Sequence, residues 1–226
     1  MQHIKHIFFD LDHTLWDFER NSALSFKKIL DQHLPQIPIE DFLNYYIPLN
    51  FLYWEKYRKD EISQHELRYH RLKDTFDALA VEISDKLLAV ISDEYIQHLP
   101  TFNHLFEGTT EILDYLSEKY LLHIITNGFH EVQHLKLKNS NIGHYFQTIT
   151  NSETAGVKKP NPIIFEHALL TANAEKQNSI MIGDCIDADV RGALNSGMDA
   201  ILFCEKECDD PKIKQIKKLS DLKYIL

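Results

Sequence analysis

The chain has 226 residues, of which 44% are hydrophobic and 26% charged, a composition typical of a globular protein with one domain or a core plus a smaller accessory domain. Its formal charge of −10 argues against nucleic acid as a partner, because phosphate backbones are bound by basic surfaces. No stretch is long enough to span a membrane and the short apolar run near the N-terminus does not fit a signal peptide, so the cytoplasm is the expected compartment.

The first predicted element is a buried strand over Ile4 to Phe9, a β-branched and aromatic run that ends at Asp10. From about Glu19 to Leu99 the pattern changes to helices only, since apolar residues recur at three- and four-residue spacing. The predicted helices cover Ser22 to Leu34, Asp41 to Arg58, Ser63 to Leu79 and Ser84 to Leu99. Four helices inserted after a first strand predict an accessory cap.

After Pro100 short apolar strands alternate with helices. Helices are predicted over Thr110 to Glu118, Glu131 to Asn139, Pro162 to Ala172 and Asp187 to Ser196. Strands are predicted over Leu121 to Thr126, Phe146 to Thr150, Ser179 to Ile182 and, closing the series, Ala200 to Phe203. This alternation predicts an α/β fold with a doubly wound parallel sheet, which binds ligands at the carboxyl ends of its strands.

The first motif is Asp10-Leu11-Asp12-His13-Thr14, at the end of the first strand. Two carboxylates two residues apart in a loop can face one site with different roles. One can attack phosphorus as a nucleophile, and the other can protonate a leaving oxygen and later take a proton from water. A pair of turn aspartates without function is the alternative, and the preceding apolar run favours the functional interpretation.

The second motif, Thr126-Asn127-Gly128, follows another predicted strand. A hydroxyl, a side-chain amide and backbone N–H groups at a strand-to-helix turn suit phosphate oxygens, although a plain turn with capping residues has the same composition.

The third motif is Lys158-Lys159-Pro160, just before a helix. A lysine there can neutralise phosphate charge, whereas an exposed basic pair is the alternative.

The fourth motif is Gly183-Asp184-Cys185-Ile186-Asp187-Ala188-Asp189, after the strand that ends at Ile182. Three carboxylates within six residues supply the hard oxygen ligands that magnesium prefers. An acidic first turn of a helix is the alternative, because helix dipoles favour it.

The motifs occur in the order D-x-D-x-T, T-N-G, K-P and G-D-x-x-x-x-D, each at a predicted strand end except the third. In this order the chain resembles the haloacid dehalogenase-like (HAD) hydrolase superfamily over essentially its whole length. The resemblance implies a Rossmann-like core of residues 1–16 and 101–226, with an all-helical cap of residues 17–100 inserted after the first motif.

The resemblance also implies the roles of the two aspartates in the first motif. Asp10 is expected to be the nucleophile and Asp12 the general acid/base. Dehalogenases share the scaffold without needing the second aspartate for this role, so Asp12 favours phosphoryl transfer to water. Sugar-phosphate mutases share the same motifs and remain an alternative.

The resemblance further implies the substrate and metal ligands. Thr126 is expected to bind a phosphoryl oxygen with help from Asn127 and Gly128, and Lys159 to neutralise charge, with Lys158 as its substitute if the register differs by one. The expected Mg²⁺ ligands are a carboxylate oxygen of Asp10, the main-chain carbonyl of Asp12 and the side chain of Asp184. Asp189 is expected to contact the lysine or metal-bound water, while Asp187 is expected to be a helix-start residue.

Within the superfamily, residues 8–19 together with Thr126 to Phe129 resemble the pyrimidine 5′-nucleotidase branch. The implied substrate is a pyrimidine nucleoside monophosphate, with another sugar phosphate or phosphoglycolate as the alternative; the sequence does not indicate the oligomeric state. A base could stack on an aromatic ring of the cap. The candidate rings are Phe42, Tyr45, Tyr46, Phe51, Tyr53, Trp54, Tyr57 and Tyr69.

Two more distant alternatives belong to other classes. His130-Glu131-Val132-Gln133-His134 matches the H-E-x-x-H pattern of zinc proteases, but no third ligand stands at a recognised spacing. A receiver-like signalling module also accepts phosphate on a strand-end aspartate, but it has neither a D-x-D pair on the first strand nor a large helical insert. The three cysteines form neither a disulfide framework nor a four-ligand zinc site.

Overall fold

The computed structural model describes residues 3–226, and its centre is a six-stranded parallel sheet. The strands are β1 (His6–Phe9), β2 (Leu121–Thr126), β3 (Phe146–Asn151), β4 (Ser179–Gly183), β5 (Asp199–Phe203) and β6 (Gln215–Ile216). Their order is β3-β2-β1-β4-β5-β6, which is the strand order of the Rossmann fold. The predicted α/β class and doubly wound sheet are therefore confirmed.

Helices join these strands. They are α5 (Thr109–Ser117), α6 (His130–Asn139), α7 (Ser152–Ala155), α8 (Pro162–Thr171) and α9 (Gly192–Asn195), with a π-helical turn over Ile186–Arg191 before α9. Caps explain several starts: Asn161 accepts a hydrogen bond from the backbone of Ile163, and Pro162 occupies the first helical position. The strands β1 and β4 are buried along their whole length, because helices cover both faces of a parallel sheet.

The contacts divide the chain into two compact units. One contains the residues up to Phe18 and Asn103–Leu226, and the other is Glu19–Phe102. The second unit is helical, with α1 (Phe18–His33), α2 (Ile39–Arg58), α3 (Gln64–Ala78) and α4 (Asp85–His98). Among the described residues, every helix is too short or too polar to cross a bilayer.

Aromatic rings form much of the interior of the helical unit. Phe26 stacks on Tyr95 at 4.2 Å between ring centroids and meets Tyr46 edge-on at 4.4 Å. Of the eight aromatic residues singled out in the sequence, Phe42, Tyr46 and Tyr53 are buried. The other five are partly or fully exposed: Tyr45, Phe51, Trp54, Tyr57 and Tyr69.

Several predicted boundaries are wrong. The helix expected from Ser22 already begins at Phe18, and the Ser22 hydroxyl lies 2.9 Å from the Tyr95 hydroxyl inside the helical unit instead of capping the helix. The strand predicted from Ile4 begins at His6, and the helix predicted from Asp41 begins at Ile39, after Pro38.

Two features of the C-terminal part also differ from the prediction. The helix expected over Asp187 to Ser196 begins as the π-helical turn. The sheet does not close at Phe203, because β6 pairs with β5 beyond it. A two-residue strand has no apolar run that periodicity could detect.

Candidate active site

The central position of β1 brings three motifs to one edge of the sheet. Phe9, the last residue of β1, pairs with Ile124 of β2 and Ile182 of β4. The next residue, Asp10, donates its backbone N–H to the carbonyl oxygen of Ile182 at 2.9 Å. Because all three strands are parallel, the residues that follow them emerge side by side at their carboxyl ends.

Lys159 is the cation of this edge. Its Nζ lies 2.6 Å from Asp10 Oδ1 and 2.7 Å from Asp189 Oδ1, and it donates to the carbonyl oxygen of Ile125 at 2.7 Å. Lys159 is 2% exposed, whereas the neighbouring Lys158 is only partly buried. Burial alone would lower the pKa of Lys159, but the carboxylates of Asp10 and Asp189 outweigh it and hold this pKa above the ordinary lysine value.

Asn127 fixes the backbone of Lys159. The Asn127 side chain donates from Nδ2 to the Lys159 carbonyl at 3.0 Å and accepts at Oδ1 from the Lys159 N–H at 2.8 Å. The Asn127 amide, which sequence analysis placed at the phosphate, thus bonds to the protein through both its nitrogen and its oxygen. It joins the second motif to the third.

Three carboxylates crowd together beside Lys159. Asp10, Asp184 and Asp189 each have an oxygen within 4.8 Å of the others. Burial raises the pKa of Asp10 well above its usual range; Lys159 opposes the shift, and the charges of Asp189 and Asp184 add to it. Burial, then the charge of Asp189, raises the pKa of Asp184 to about 7. The charge of Lys159 therefore does not offset the burial and mutual repulsion of these carboxylates.

The donor set fits a hard divalent cation. Three ionised carboxylates and one ammonium leave two negative charges, and all the acidic ligand atoms are oxygens, which Mg²⁺ prefers. Asp189 already bonds to Lys159 and accepts from the backbone N–H of Cys185 at 3.0 Å. Asp10 and Asp184 are therefore the side chains best placed to bind the cation. Asp187 is exposed and pairs with Arg191 at 2.7 Å, outside this cluster.

The carboxylate of Asp12 has two partners on α6. Lys136 Nζ lies 2.6 Å from Asp12 Oδ1, and Gln133 Nε2 donates to Asp12 Oδ2 at 2.9 Å. Asp12 retains 20% side-chain exposure, but Lys136 retains only 2%. The lysine thus reaches Asp12 from inside the protein, and the carboxylate faces outward at the edge of the sheet.

The Thr126 hydroxyl accepts two hydrogen bonds. Gln133 Nε2 donates to Thr126 Oγ1 at 2.7 Å, and the backbone N–H of Gly128 donates to the same oxygen at 3.1 Å. A hydroxyl has two lone pairs and one proton, so these bonds leave its O–H to donate elsewhere. A Cβ at Gly128 would lie 2.3 Å from Gln133 Nε2, which explains why glycine occupies this turn.

Sequence analysis missed Gln133 and Lys136. Both lie on the buried face of α6, beside the apolar Val132 and Leu137. The available signal was the helical period itself, because two polar residues occupy positions where that period places the buried face. Long polar side chains buried in this way require polar partners.

Residues 7–203 match the haloacid dehalogenase-like hydrolase family, which covers most of the chain. The chain belongs to this family. The HAD assignment agrees with the four motifs, and the predicted resemblance is confirmed.

Two relatives and one solved structure illustrate the similarity. The pyrimidine 5′-nucleotidase PynA of Streptococcus pneumoniae is 30% identical over 201 residues, or 88% of this HAD chain and 83% of PynA. A glyceraldehyde 3-phosphate phosphatase of Methanothermobacter thermautotrophicus is 31% identical over 241 residues, covering 99% of this chain and 100% of the relative. The crystal structure of the HAD hydrolase YfnB of Bacillus subtilis, bound to magnesium, superposes with a TM-score of 0.89 at 24% identity and covers 98% of both chains.

The family match and the structure argue against the two distant alternatives, a receiver-like module and a zinc protease. The chain matches the HAD family and carries a helical unit between its first two strands, whereas a receiver module has no helical unit of this size there. His130 and His134 of the H-E-x-x-H pattern are exposed on α6, and His130 bonds through Nδ1 to the Asn151 amide at 2.8 Å. Among residues 3–226, the three side chains close enough together to share a metal ion are those of Asp10, Asp184 and Asp189. Neither histidine belongs to this cluster.

Proposed function

We propose that this HAD hydrolase cleaves phosphomonoesters through an aspartyl-phosphate on Asp10. The observation that carries the proposal is the environment of Asp10, which follows the central strand and touches a buried lysine at 2.6 Å. Burial raises the pKa of Asp10, and the charges of Asp189 and Asp184 raise it further. Perturbed carboxyl groups collected at the carboxyl ends of strands are typical of active sites.

The reaction proceeds in two displacements. In the first, an oxygen of Asp10 forms a bond to phosphorus while the bond from phosphorus to the leaving oxygen breaks, and Asp12 gives that oxygen a proton. In the second, water attacks the phosphorus of the aspartyl-phosphate, Asp12 takes the water proton, and the Asp10 carboxylate is regenerated. The exposed face of Asp12 supports this role, because the leaving group and water must both reach it.

Thr126 and Lys159 bind the phosphoryl group in this proposal. The Thr126 hydroxyl donates its proton to a phosphoryl oxygen, since both its lone pairs are engaged by Gln133 and Gly128. Lys159 offsets the charge that develops between phosphate and Asp10. Asn127 contributes by fixing Lys159, and Gly128 by orienting the threonine hydroxyl.

Asp10 and Asp184, with the main-chain carbonyl of Asp12, would hold Mg²⁺. The ion supplies positive charge that draws the nucleophile and the phosphoryl oxygen together. Asp189 pairs with Lys159 and accepts a backbone hydrogen bond from Cys185, which gives the lysine a fixed position.

For the substrate we propose a pyrimidine nucleoside 5′-monophosphate, with the helical residues 17–100 acting as the cap that selects it. The similarity to the nucleotidase PynA supports this class. Exposed rings such as Tyr45 and Phe51 offer stacking surfaces for a base, whereas the buried rings serve the interior of the helical unit.

A sugar phosphate is the second candidate. The glyceraldehyde 3-phosphate phosphatase relative matches over nearly the whole length of both chains. The phosphate-binding edge of the sheet serves either substrate equally, because its residues contact only the phosphoryl group and the leaving oxygen in this proposal.

A substrate panel separates the two candidates. Pyrimidine and purine monophosphates, glyceraldehyde 3-phosphate, hexose phosphates and phosphoglycolate are assayed with Mg²⁺, and kcat/KM is measured for each. We expect pyrimidine monophosphates to have the highest kcat/KM. A higher value for any sugar phosphate or phosphoglycolate would reject the nucleotidase assignment. No hydrolysis of any phosphomonoester would reject the phosphatase itself.

A further inference from the structure

Two side chains of α6 hold the carboxylate of Asp12, and neither belongs to the four motifs. Lys136 Nζ contacts Asp12 Oδ1 at 2.6 Å, and Gln133 Nε2 contacts Asp12 Oδ2 at 2.9 Å. The two residues are three apart, so they lie on the same face of the helix. We propose that Lys136 and Gln133 are positioning residues for the acid/base step, a role that rests on the proposed function of Asp12.

Lys136 has a defined position because aromatic rings surround it. Its Nζ lies 4.4 Å from the centre of the Trp16 ring and 5.3 Å from that of the Phe18 ring. Trp16 is fully buried, and ammonium groups are attracted to the faces of such rings. The rings thus hold the ammonium in place against Asp12, and the ion pair restricts the rotation of the carboxylate.

Gln133 couples the acid/base to the phosphate-binding hydroxyl. Its amide has two N–H donors, and Nε2 contacts both Asp12 Oδ2 and Thr126 Oγ1. The side chain is 1% exposed, so water does not compete readily for these bonds. One amide therefore sets the distance between the group that moves protons and the group that contacts the phosphoryl oxygen.

This arrangement has a consequence for proton transfer. Asp12 lies in the loop after β1, and both oxygens of its carboxylate contact these two side chains of α6. A general acid must lie within hydrogen-bond reach of the leaving oxygen, and a misplacement of about 1 Å can cost about 100-fold in rate. Loss of either α6 side chain should therefore impair departure of a leaving group that needs a proton. The loss should be smaller for a leaving group that departs as a stable anion.

The test compares two leaving groups in the full-length protein with Mg²⁺. One substrate is the best alkyl phosphate of the panel, such as uridine 5′-monophosphate, and the other is p-nitrophenyl phosphate, whose phenolate needs little protonation. We compare kcat/KM, which reports steps through departure of the leaving group. Lys136→Met keeps an unbranched apolar side chain beside Trp16, one atom shorter than lysine, and removes the charge.

For Lys136→Met we expect kcat/KM to fall about 10- to 100-fold for the alkyl phosphate and less than about 3-fold for p-nitrophenyl phosphate. Gln133→Met also removes a hydrogen bond to Thr126, so we expect it to lower kcat/KM for both substrates, with a loss about 10-fold greater for the alkyl phosphate. Lys138→Met is the matched control, because Lys138 is an exposed lysine on the same helix. It should leave both values unchanged. Lys136→Arg, which keeps the charge, should recover part of the alkyl phosphate activity.

Equal losses with both substrates would overturn the proposal, because they indicate a general structural role, and so would unchanged alkyl phosphate activity. If thermal unfolding shows that Lys136→Met does not fold, Gln133→Met decides the question by the same criteria. Asp12→Asn distinguishes this proposal from the proposed function. If Asp12→Asn loses no alkyl phosphate activity, the acid/base assignment fails; if only Asp12→Asn is selective, the positioning role alone fails.

Discussion

Asn127 and Lys159 are joined by two hydrogen bonds that run in opposite directions. The Asn127 amide donates to the Lys159 carbonyl at 3.0 Å and accepts from the Lys159 N–H at 2.8 Å. The turn after β2 thereby fixes the backbone of the lysine that reaches Asp10. In the proposed mechanism Asn127 acts on the phosphoryl group only through this lysine.

Replacement of Asn127 by alanine should therefore disturb Lys159. The change leaves a buried N–H and a carbonyl without partners, which we expect to destabilise the fold by about 1–3 kcal/mol and to lower kcat about 10-fold or more. Urea unfolding and steady-state kinetics measure the two effects. Asn44→Ala, at an exposed position on α2, is the control and should shift the free energy of unfolding by less than about 0.5 kcal/mol. Full activity of Asn127→Ala would show that Lys159 does not depend on this bond pair.

Gly183 should not tolerate a methyl group. A Cβ there would lie 2.4 Å from Asp189 Oδ2, and that oxygen is held by the backbone N–H of Cys185. We expect Gly183→Ala to displace Asp189, loosen Lys159 and lower kcat, as measured in the steady state. Gly143→Ala is the control, since its nearest neighbour would be the Leu137 carbonyl at an ordinary 3.5 Å. Similar kinetics for the two variants would contradict the expected crowding.

Magnesium should stabilise the protein through the aspartate cluster. A ligand that binds only the folded state raises the unfolding temperature as its concentration rises above its Kd. We expect thermal unfolding of the wild type to shift upward with added MgCl₂ and the shift to be largely lost in Asp184→Asn. Asp187→Asn should keep the shift, because Asp187 pairs with Arg191 outside the cluster. Loss of the shift in both variants, or in neither, would contradict the assigned ligand.

The sheet carries a pair of buried histidines that makes the fold sensitive to acid. His6 Nδ1 and His123 Nε2 lie 3.1 Å apart, and the other ring nitrogen of His123 bonds to Thr148. Burial, followed by the effect of His6, lowers the pKa of His123 to about 4. The unfolded chain takes up this proton near its ordinary pKa, about 6.5, so stability is lost as pH falls from 6.5 towards 4.

This pH dependence is measured as the free energy of unfolding in urea across that range. Each proton bound only by the unfolded state adds about 1.4 kcal/mol per pH unit to the slope. We expect His123→Gln to have a shallower slope than the wild type, whatever its absolute stability. His134→Gln, at an exposed histidine of α6, serves as the control. Identical slopes for His123→Gln and the wild type would reject the assignment.

The fold was predictable because its main elements have strong local signals. The apolar strands β1, β2 and β4 are buried except at Leu121, and such runs stand out among helical patterns. Local signals failed where tertiary contacts decide the structure. The helix predicted from Ser22 begins at Phe18, and the Ser22 hydroxyl bonds to Tyr95 inside the helical unit. β6 consists of two residues that pair with β5 and carry no periodicity of their own.

The residues of the candidate site likewise fall into those that local sequence signals predict and those that only tertiary packing reveals. Asp10 and Asp184 directly follow strands and Thr126 ends one, so topology alone brings them to one edge of the sheet. Lys136 and Gln133 lie within a helix, and their importance comes from which strand end the helix packs against. That relationship depends on three-dimensional packing between residues more than a hundred positions from Asp12, which a single sequence does not encode in a local pattern.

The most direct measurement is identification of the phosphorylated residue during turnover. Enzyme mixed with Mg²⁺ and p-nitrophenyl phosphate, whose leaving group needs little protonation, is quenched in acid, digested and analysed by mass spectrometry. Asp12→Asn is included because it should slow hydrolysis of the intermediate more than its formation from this substrate. We predict one phosphoryl group on Asp10, more of it in Asp12→Asn than in the wild type, and none in Asp10→Asn, which should also lose turnover. A phosphoryl group on another residue, or substantial turnover by Asp10→Asn, would contradict the mechanism.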